Sequence, residues 1–263
     1  MPLHVRVVGT GRPVLFVHGL GGSGEYWTRT FDHLSGDHRL AFVDLAGFGR
    51  SIGVPGPYDI GGHIDRLAEV RRLRLPGDGL IVVGHSFGAL LAVAASGLWP
   101  DVTGVFAMGL PAFESAAQAR SHLRHLGPME RWMAAGAWQA RAACWAVCRA
   151  RPVARLVAPL LAGDVPRAVA RAGVVHTWAA YKDSFRSLVE DADVRTWVAS
   201  RPVPRTVLQG SRDRVCPPAL VRDALDGLAV DLRVLDGDHH LPLRRPEACV
   251  AALERLLAAT SAP

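Results

Sequence analysis

The chain has 263 residues, 49% of them hydrophobic and 21% charged, with a formal net charge of +6. That length supports one large domain or one domain with an insertion, and that composition is ordinary for a globular protein. No apolar run is long enough to span a bilayer, and the start "MPLHVRVVGTGRP" lacks the apolar stretch of a signal peptide, so a cytoplasmic protein with no membrane partner is expected.

In chain order, "HVRVV" and "PVLFVHG" read as strands, "GEYWTRTFDHLS" as a helix, and "RLAFVDL" as a further strand followed by the glycine-rich "AGFGRS". "IGGHIDRLAEVRRLRL" has helical spacing, with Ile60, Ile64, Leu67 and Val70 on one side. "LIVVGHS" is a short apolar run rich in β-branched residues, hence a buried strand. The Ala- and Leu-rich run from Phe87 to Ala95 is its helix, and "VTGVFAMGL" is the next strand. From about Pro111 to Pro204 the alternation stops. "MERWMAAGAWQARAACWAVCRA" and "VHTWAAYKDSFRSLVED" are helical in composition, and no convincing strand appears. "RTVLQG", a helix from Pro217, "DLRVLDG" and a final helix from Pro246 then resume the pattern. Such alternation implies a mainly parallel sheet covered by helices. Residues 1–110 and 205–263 form its core, and residues 111–204 an inserted helical cap.

The junction Gly84-His85-Ser86-Phe87-Gly88 joins a strand directly to a helix. A reversal in so few residues forces the turning residue into a strained conformation, and neighbouring backbone excludes side chains at Gly84 and Gly88. Ser86 is thereby pushed into the open at the sheet's end. The helix N-terminus beneath it offers N–H groups to a developing oxyanion. A hydroxyl needs a base, and a histidine base needs a carboxylate to fix its tautomer. "VLQGSRDRVCPP" supplies Asp213 after one strand, and "VLDGDHHLPLRRPE" supplies His239 and His240 after the next. A second oxyanion donor is expected from His18-Gly19-Leu20-Gly21-Gly22, with the Leu20 N–H paired to that of Phe87. His18 and His85 are read as structural residues.

These motifs resemble the α/β-hydrolase superfamily, in the branch with "HG-G" after the third strand. "DLAGFGRS" is similar to that family's D-x-x-G-x-G-x-S loop, in which Asp44 and Arg50 have structural roles. "GSRDRVCP" is similar to its G-x-x-D-x-x-x-P, with Asp213 as the acid. "GDHHLPLRRPE" is similar to its G-x-H followed by P-E, with the histidine seven before the proline, which selects His239. The resemblance implies an eight-stranded, mostly parallel sheet and a cap between the sixth and seventh strands. His240 is then expected to face the lid or solvent, with a packing or substrate-contact role. A serine at position 86 argues against the similar dehalogenases and epoxide hydrolases, which carry aspartate there.

The leading expectation is a serine hydrolase acting on an ester, thioester, lactone or related bond of a small, largely apolar substrate. Its substrate-binding residues are expected to be Leu20, Phe87, Trp132, Trp178 and His240, with Met108, Leu110 and Phe113 as weaker candidates. Two alternatives stay open: a non-hydrolytic biosynthetic enzyme on the same scaffold, catalysing acyl transfer, elimination or cyclisation, and a ligand-binding protein with little turnover. No metal and no organic cofactor is implied. Cys144, Cys148, Cys216 and Cys249 lack metal-ligand spacing and read as reduced thiols. The arginines are read as scattered among acids with no basic run, so nucleic acid is not an expected partner. A homodimer stays open, and the Ala, Arg, Gly and Pro excess fits a GC-rich, expectedly bacterial, genome.

Overall fold

The computed structural model describes residues 1–127, 131–133, 135, 138–163 and 165–260. Seven strands are β1 (Val5–Val8), β2 (Arg12–Val17), β3 (His38–Val43), β4 (Leu80–His85), β5 (Val102–Met108), β6 (Arg205–Gly210) and β7 (Asp231–Leu235). They form one sheet in the order β1-β3-β2-β4-β5-β6-β7. β1 runs antiparallel to β3, and the remaining neighbours are parallel. The α/β-hydrolase architecture is therefore present, with seven strands among the described residues where eight were expected. The chain itself offers seven strand-like apolar runs; the eighth was an implication of the resemblance alone.

Alternation along β2 shows how the sheet is buried on both faces. Val14 and Phe16 enter one apolar cluster, with Phe42, Trp27 and Leu253. Leu15 and Val17 enter the other, with Leu67, Leu90 and Val105. Helices α1 (Ile60–Arg74) and α2 (Phe87–Leu98) cover the second face. Asp59 caps α1 by accepting the Gly62 N–H at 2.7 Å. The "GEYWTRTFDHLS" stretch is not the expected helix but two short 3₁₀ turns, Gly24–Trp27 and Asp32–Gly36. Thr28 breaks it: it sits at φ 49°, its hydroxyl donates to the Trp27 carbonyl, and its neighbours Tyr26, Trp27 and Phe31 are all buried.

Between β5 and β6 lie α3 (Ala116–Leu123), α4 (Trp138–Arg149), α5 (Arg151–Leu161), α6 (Arg167–Gly173), α7 (Trp178–Glu190) and α8 (Val194–Ala199). Of the helical stretch expected over 129–150, residues 129, 130, 134, 136 and 137 lie outside the described residues. The insertion is anchored to the sheet domain by polar bonds. Gly49 N–H donates to Val175 O at 2.8 Å, and Thr177 N–H to Gly47 O at 3.1 Å. Ile60 N–H donates to Ser187 Oγ, and His63 Nε2 pairs with Ser184 Oγ, both at 2.9 Å. After β6 come α9 (Pro218–Ala224), then β7, the short α10 (Leu241–Arg244) and α11 (Pro246–Ala259).

Candidate active site

In a parallel sheet the connections after two adjacent strands leave in opposite directions wherever strand order reverses, and a crevice opens outside their carboxyl ends. Here β2 and β4 are adjacent, yet β2 leads to β3 on one side and β4 leads to β5 on the other. The crevice is thus bounded by the Gly19–Gly22 loop after β2 and by Ser86 after β4.

Ser86 is at φ 53°, ψ −120°, and makes no capping bond to α2, so its hydroxyl is not tied to the helix. The backbone around it is packed as the glycines require. A Cβ on Gly84 would lie 2.2 Å from Gly88 O, and one on Gly88 would lie 2.1 Å from Val17 O. Phe87 opens α2, so its N–H has no acceptor within the helix. On the facing loop, the buried His18 holds the Gly19 carbonyl at 2.8 Å from Nδ1, and Gly22 N–H donates to the same oxygen at 3.0 Å. Asp44 organises the next loop, accepting from Gly24 N–H at 2.6 Å and Arg50 N–H at 2.7 Å. Arg50 itself is exposed and pairs with Glu25 at 3.6 Å.

Asp213 is buried in the loop after β6. Its Oδ1 accepts the Val215 and Cys216 N–H groups at 2.9 and 2.8 Å, and its Oδ2 lies 2.8 Å from His239 Nδ1. A carboxylate oxygen accepts, so the bond between them places a hydrogen on His239 Nδ1. Room for that ring comes from Gly109, at φ +58°, where a Cβ would meet the ring at 3.0 Å. His85, inside the elbow, donates from Nε2 to the His239 carbonyl at 2.8 Å, locking the histidine loop to β4. Burial foremost, with His239 and His240 beside it, pushes the His85 pKa well below the ordinary histidine value. Its Nδ1 is buried with no partner among the described residues.

Ser86, His239, Leu20, His85, Tyr26 and His240 all line one cavity of about 230 Å³. The inserted segment closes it with Val165, Val169, Ala170 and Gly173. His240 therefore faces this cavity, stacked 5.7 Å from His85, with Nδ1 3.3 Å from the Tyr26 hydroxyl. Burial raises the Tyr26 pKa well above that of a free phenol, so it remains a neutral hydroxyl. The structure does not bring Trp132 or Trp178 to this cavity, nor Met108, Leu110 or Phe113, and the Phe87 side chain is buried in the core rather than lining it. The part of the insertion that reaches Ser86 is α6 and the residues before it, and these are small. Trp178 instead begins α7, the helix anchored on α1. Sequence reasoning missed Tyr26 and the α6 wall. Tyr26 had one available signal, its place just beyond the glycine-rich loop.

Among the described residues, two groups bring metal-ligating atoms within 4.8 Å of one another: Asp213, Cys216 and His239, and Cys144, Cys148 and His176. In the first, both Asp213 oxygens already accept hydrogen bonds, and burial followed by the Asp213 charge pushes the Cys216 thiol well up. That is an acid–base pair rather than a metal cage. In the second, the two sulfurs are 3.8 Å apart on one face of α4, and burial pushes the Cys144 thiol up to about 12.

The profile of the Alpha/beta hydrolase family matches residues 14–252, and the chain belongs to that family. It is 29% identical over 153 residues to the probable lysophospholipase BODYGUARD 4 of Arabidopsis thaliana, covering 52% of this chain and 36% of that one. It is 38% identical over 102 residues to lipase LipV of Mycobacterium tuberculosis, covering 38% of each. The chain thus spans little more than a third of the length of these relatives. The structure of a thermophilic esterase from Thermogutta terrifontis shares its fold, with a TM-score of 0.75 over 99% of this chain and 94% of that one, at 22% identity.

Proposed function

We propose that this protein is a serine hydrolase that cleaves an ester or thioester of a small, largely apolar substrate. The observation that carries the reading is the 2.8 Å pair of the buried Asp213 with His239, which lines the same cavity as Ser86, itself held at φ 53°. Ser86 Oγ attacks the carbonyl carbon while His239 Nε2 takes its proton, and Asp213 stabilises the resulting imidazolium. The Leu20 and Phe87 N–H groups receive the oxyanion. His239 then returns the proton to the departing alcohol or thiol, and water releases the acyl group by the same route. Residues 111–204 act as a cap: Val165, Val169 and Ala170 give the cavity an apolar wall suited to an acyl chain. The names of the relatives, a lysophospholipase and a lipase, agree with such a substrate.

The experiment is turnover of a p-nitrophenyl ester series by wild type and Ser86→Ala, with labelling by a fluorophosphonate probe. The variant should fold normally, lose at least ~10³-fold in kcat and escape labelling. Full activity in Ser86→Ala would reduce the serine to a turn residue and end the proposal.

A further inference from the structure

Among the described residues, ten large apolar side chains are exposed, and six of them lie between residues 138 and 161. Trp138 and Trp145 stand two turns apart on one face of α4. Val153, Leu156 and Leu160 follow one face of α5, with Leu161 beside them, and α5 has no buried residue at all. These six side chains are between 60% and 81% exposed. A helix this apolar with nothing buried is a face without its partner.

Charge identifies the partner. Residues 131–171 hold seven arginines against one acid, Asp164, so this segment alone carries the +6 of the whole chain. The arginines are therefore concentrated, not scattered among acids as their spacing first suggests. Arg141, Arg149, Arg155, Arg167 and Arg171 are exposed, and none forms an ion pair with a described residue. Elsewhere arginines are balanced by acids along the chain, and some are paired directly, as in Arg71–Asp101, Arg233–Asp231 and Arg245–Asp236. A second copy of this face would meet it with like charge. A nucleic acid would leave the leucines and tryptophans in water. An anionic lipid surface satisfies both: aliphatic and indole groups enter the acyl boundary while guanidinium groups meet the headgroups.

We propose that α4 and α5 dock this protein on an anionic lipid surface, which replaces the expectation of no membrane partner. No described helix is long and apolar enough to cross a membrane, so the attachment is peripheral. α5 packs on α6, whose Val169, Ala170 and Gly173 line the Ser86 cavity. Docking therefore sets one wall of the cavity next to the lipid.

The test is flotation of the full chain with vesicles of phosphatidylcholine alone or with one-third phosphatidylglycerol, at low and high salt. Wild type should bind the anionic vesicles at least about tenfold more tightly than the neutral ones, and high salt should remove most of that preference. Leu156→Gln/Leu160→Gln and, separately, Arg155→Glu/Arg171→Glu should each lose at least about tenfold in binding. Both variants should keep the wild-type rate on a water-soluble acetate ester. Failure of wild type to float with the anionic vesicles overturns the proposal, as does wild-type binding by both variants. A dimer in sedimentation velocity that the Leu156→Gln/Leu160→Gln variant abolishes, without vesicle binding, would make this face an interface between copies instead.

Discussion

His18 Nδ1 lies 2.8 Å from the carbonyl oxygen of Gly19 while its Nε2 accepts the Leu45 N–H at 3.0 Å. The second bond fixes the tautomer, because an accepting Nε2 leaves the hydrogen on Nδ1. A trans peptide points its C=O and the following N–H in opposite directions. Holding the Gly19 carbonyl down against His18 therefore turns the Leu20 N–H away from His18, toward the cavity. A loop of glycines would not hold that orientation unaided.

His18→Asn should therefore act on the transition state more than on binding. Loss of one oxyanion donor costs 10²–10³ in kcat; misaiming one should cost roughly 10–10², with KM changed little. Steady-state kinetics on a short ester, with the thermal midpoint as a folding check, decides it. A rise in KM at constant kcat would place His18 in ground-state binding instead.

Acid should destabilise this protein through its buried histidines. His63 bridges α1 to α7: Nε2 donates to Ser184 Oγ, whose hydroxyl donates to Tyr58 O at 2.8 Å, and Nδ1 is buried without a partner among the described residues. Burial foremost lowers its pKa to about 3. In the unfolded chain the value returns to about 6.5. Between those values the unfolded state holds a proton that the folded state lacks. Stability from this residue is thus full above about pH 6.5 and falls as pH drops toward 3, by about 1.4 kcal/mol per pH unit. Urea unfolding at pH 7 and pH 5 should show a loss of about 2 kcal/mol from His63, absent in His63→Gln. Equal pH dependence in both proteins would refute this account. Burial also lowers the pKa values of His18, His85 and His240, so the whole chain should lose more than this share.

The strands were legible because a doubly covered sheet demands apolar runs bounded by turn residues, as "LIVVGHS" shows by becoming Leu80–His85. Ser86, Asp213 and His239 were legible for a related reason: each follows a strand, and the order of the chain delivers each to the same sheet edge. Where tertiary packing overrides local pattern, the reading failed. Tyr26, Trp27 and Phe31 look helical in spacing, yet all three turn inward, Trp27 and Phe31 within 5.3 Å of the Phe16 ring, by way of a kink at Thr28. The cavity wall failed for lack of any signature. Val165, Val169, Ala170 and Gly173 are unremarkable residues whose importance lies in where α6 is carried, and that depends on the anchoring of Val175–Thr177 to Gly47–Gly49. Trp132 and Trp178 drew the expectation instead because large aromatics suit apolar cavities, but neither lines this one.

Two adjacent histidines divide the work of one loop, and substitution should separate them. His239 alone bonds Asp213, at 2.8 Å. His240 begins the short α10, its N–H held by Asp238 Oδ1 at 2.8 Å, and its ring lies against Tyr26 and His85. Gly237 and Pro246 set this register: the loop turns beside Gly210, where Gly237 O and Asp238 O approach within 2.6 Å of a built Cβ, and Pro246 starts α11. His239→Ala removes the imidazole paired with Asp213 and should cost the ~10²–10⁴-fold expected of a general base. His240→Ala leaves that pair intact but opens the wall behind Tyr26. It should keep at least about a tenth of turnover on an acetate ester, since that small group needs little of the wall. On longer acyl chains its KM should change more than its kcat, because Tyr26 and His240 bound the space the chain must enter. The measurement is kcat and KM for both variants on acetate, butyrate and octanoate esters, with circular dichroism confirming the fold. A near-total loss in His240→Ala on every ester, with His239→Ala active, would transfer the base to His240 and require the Asp213 pairing to rearrange.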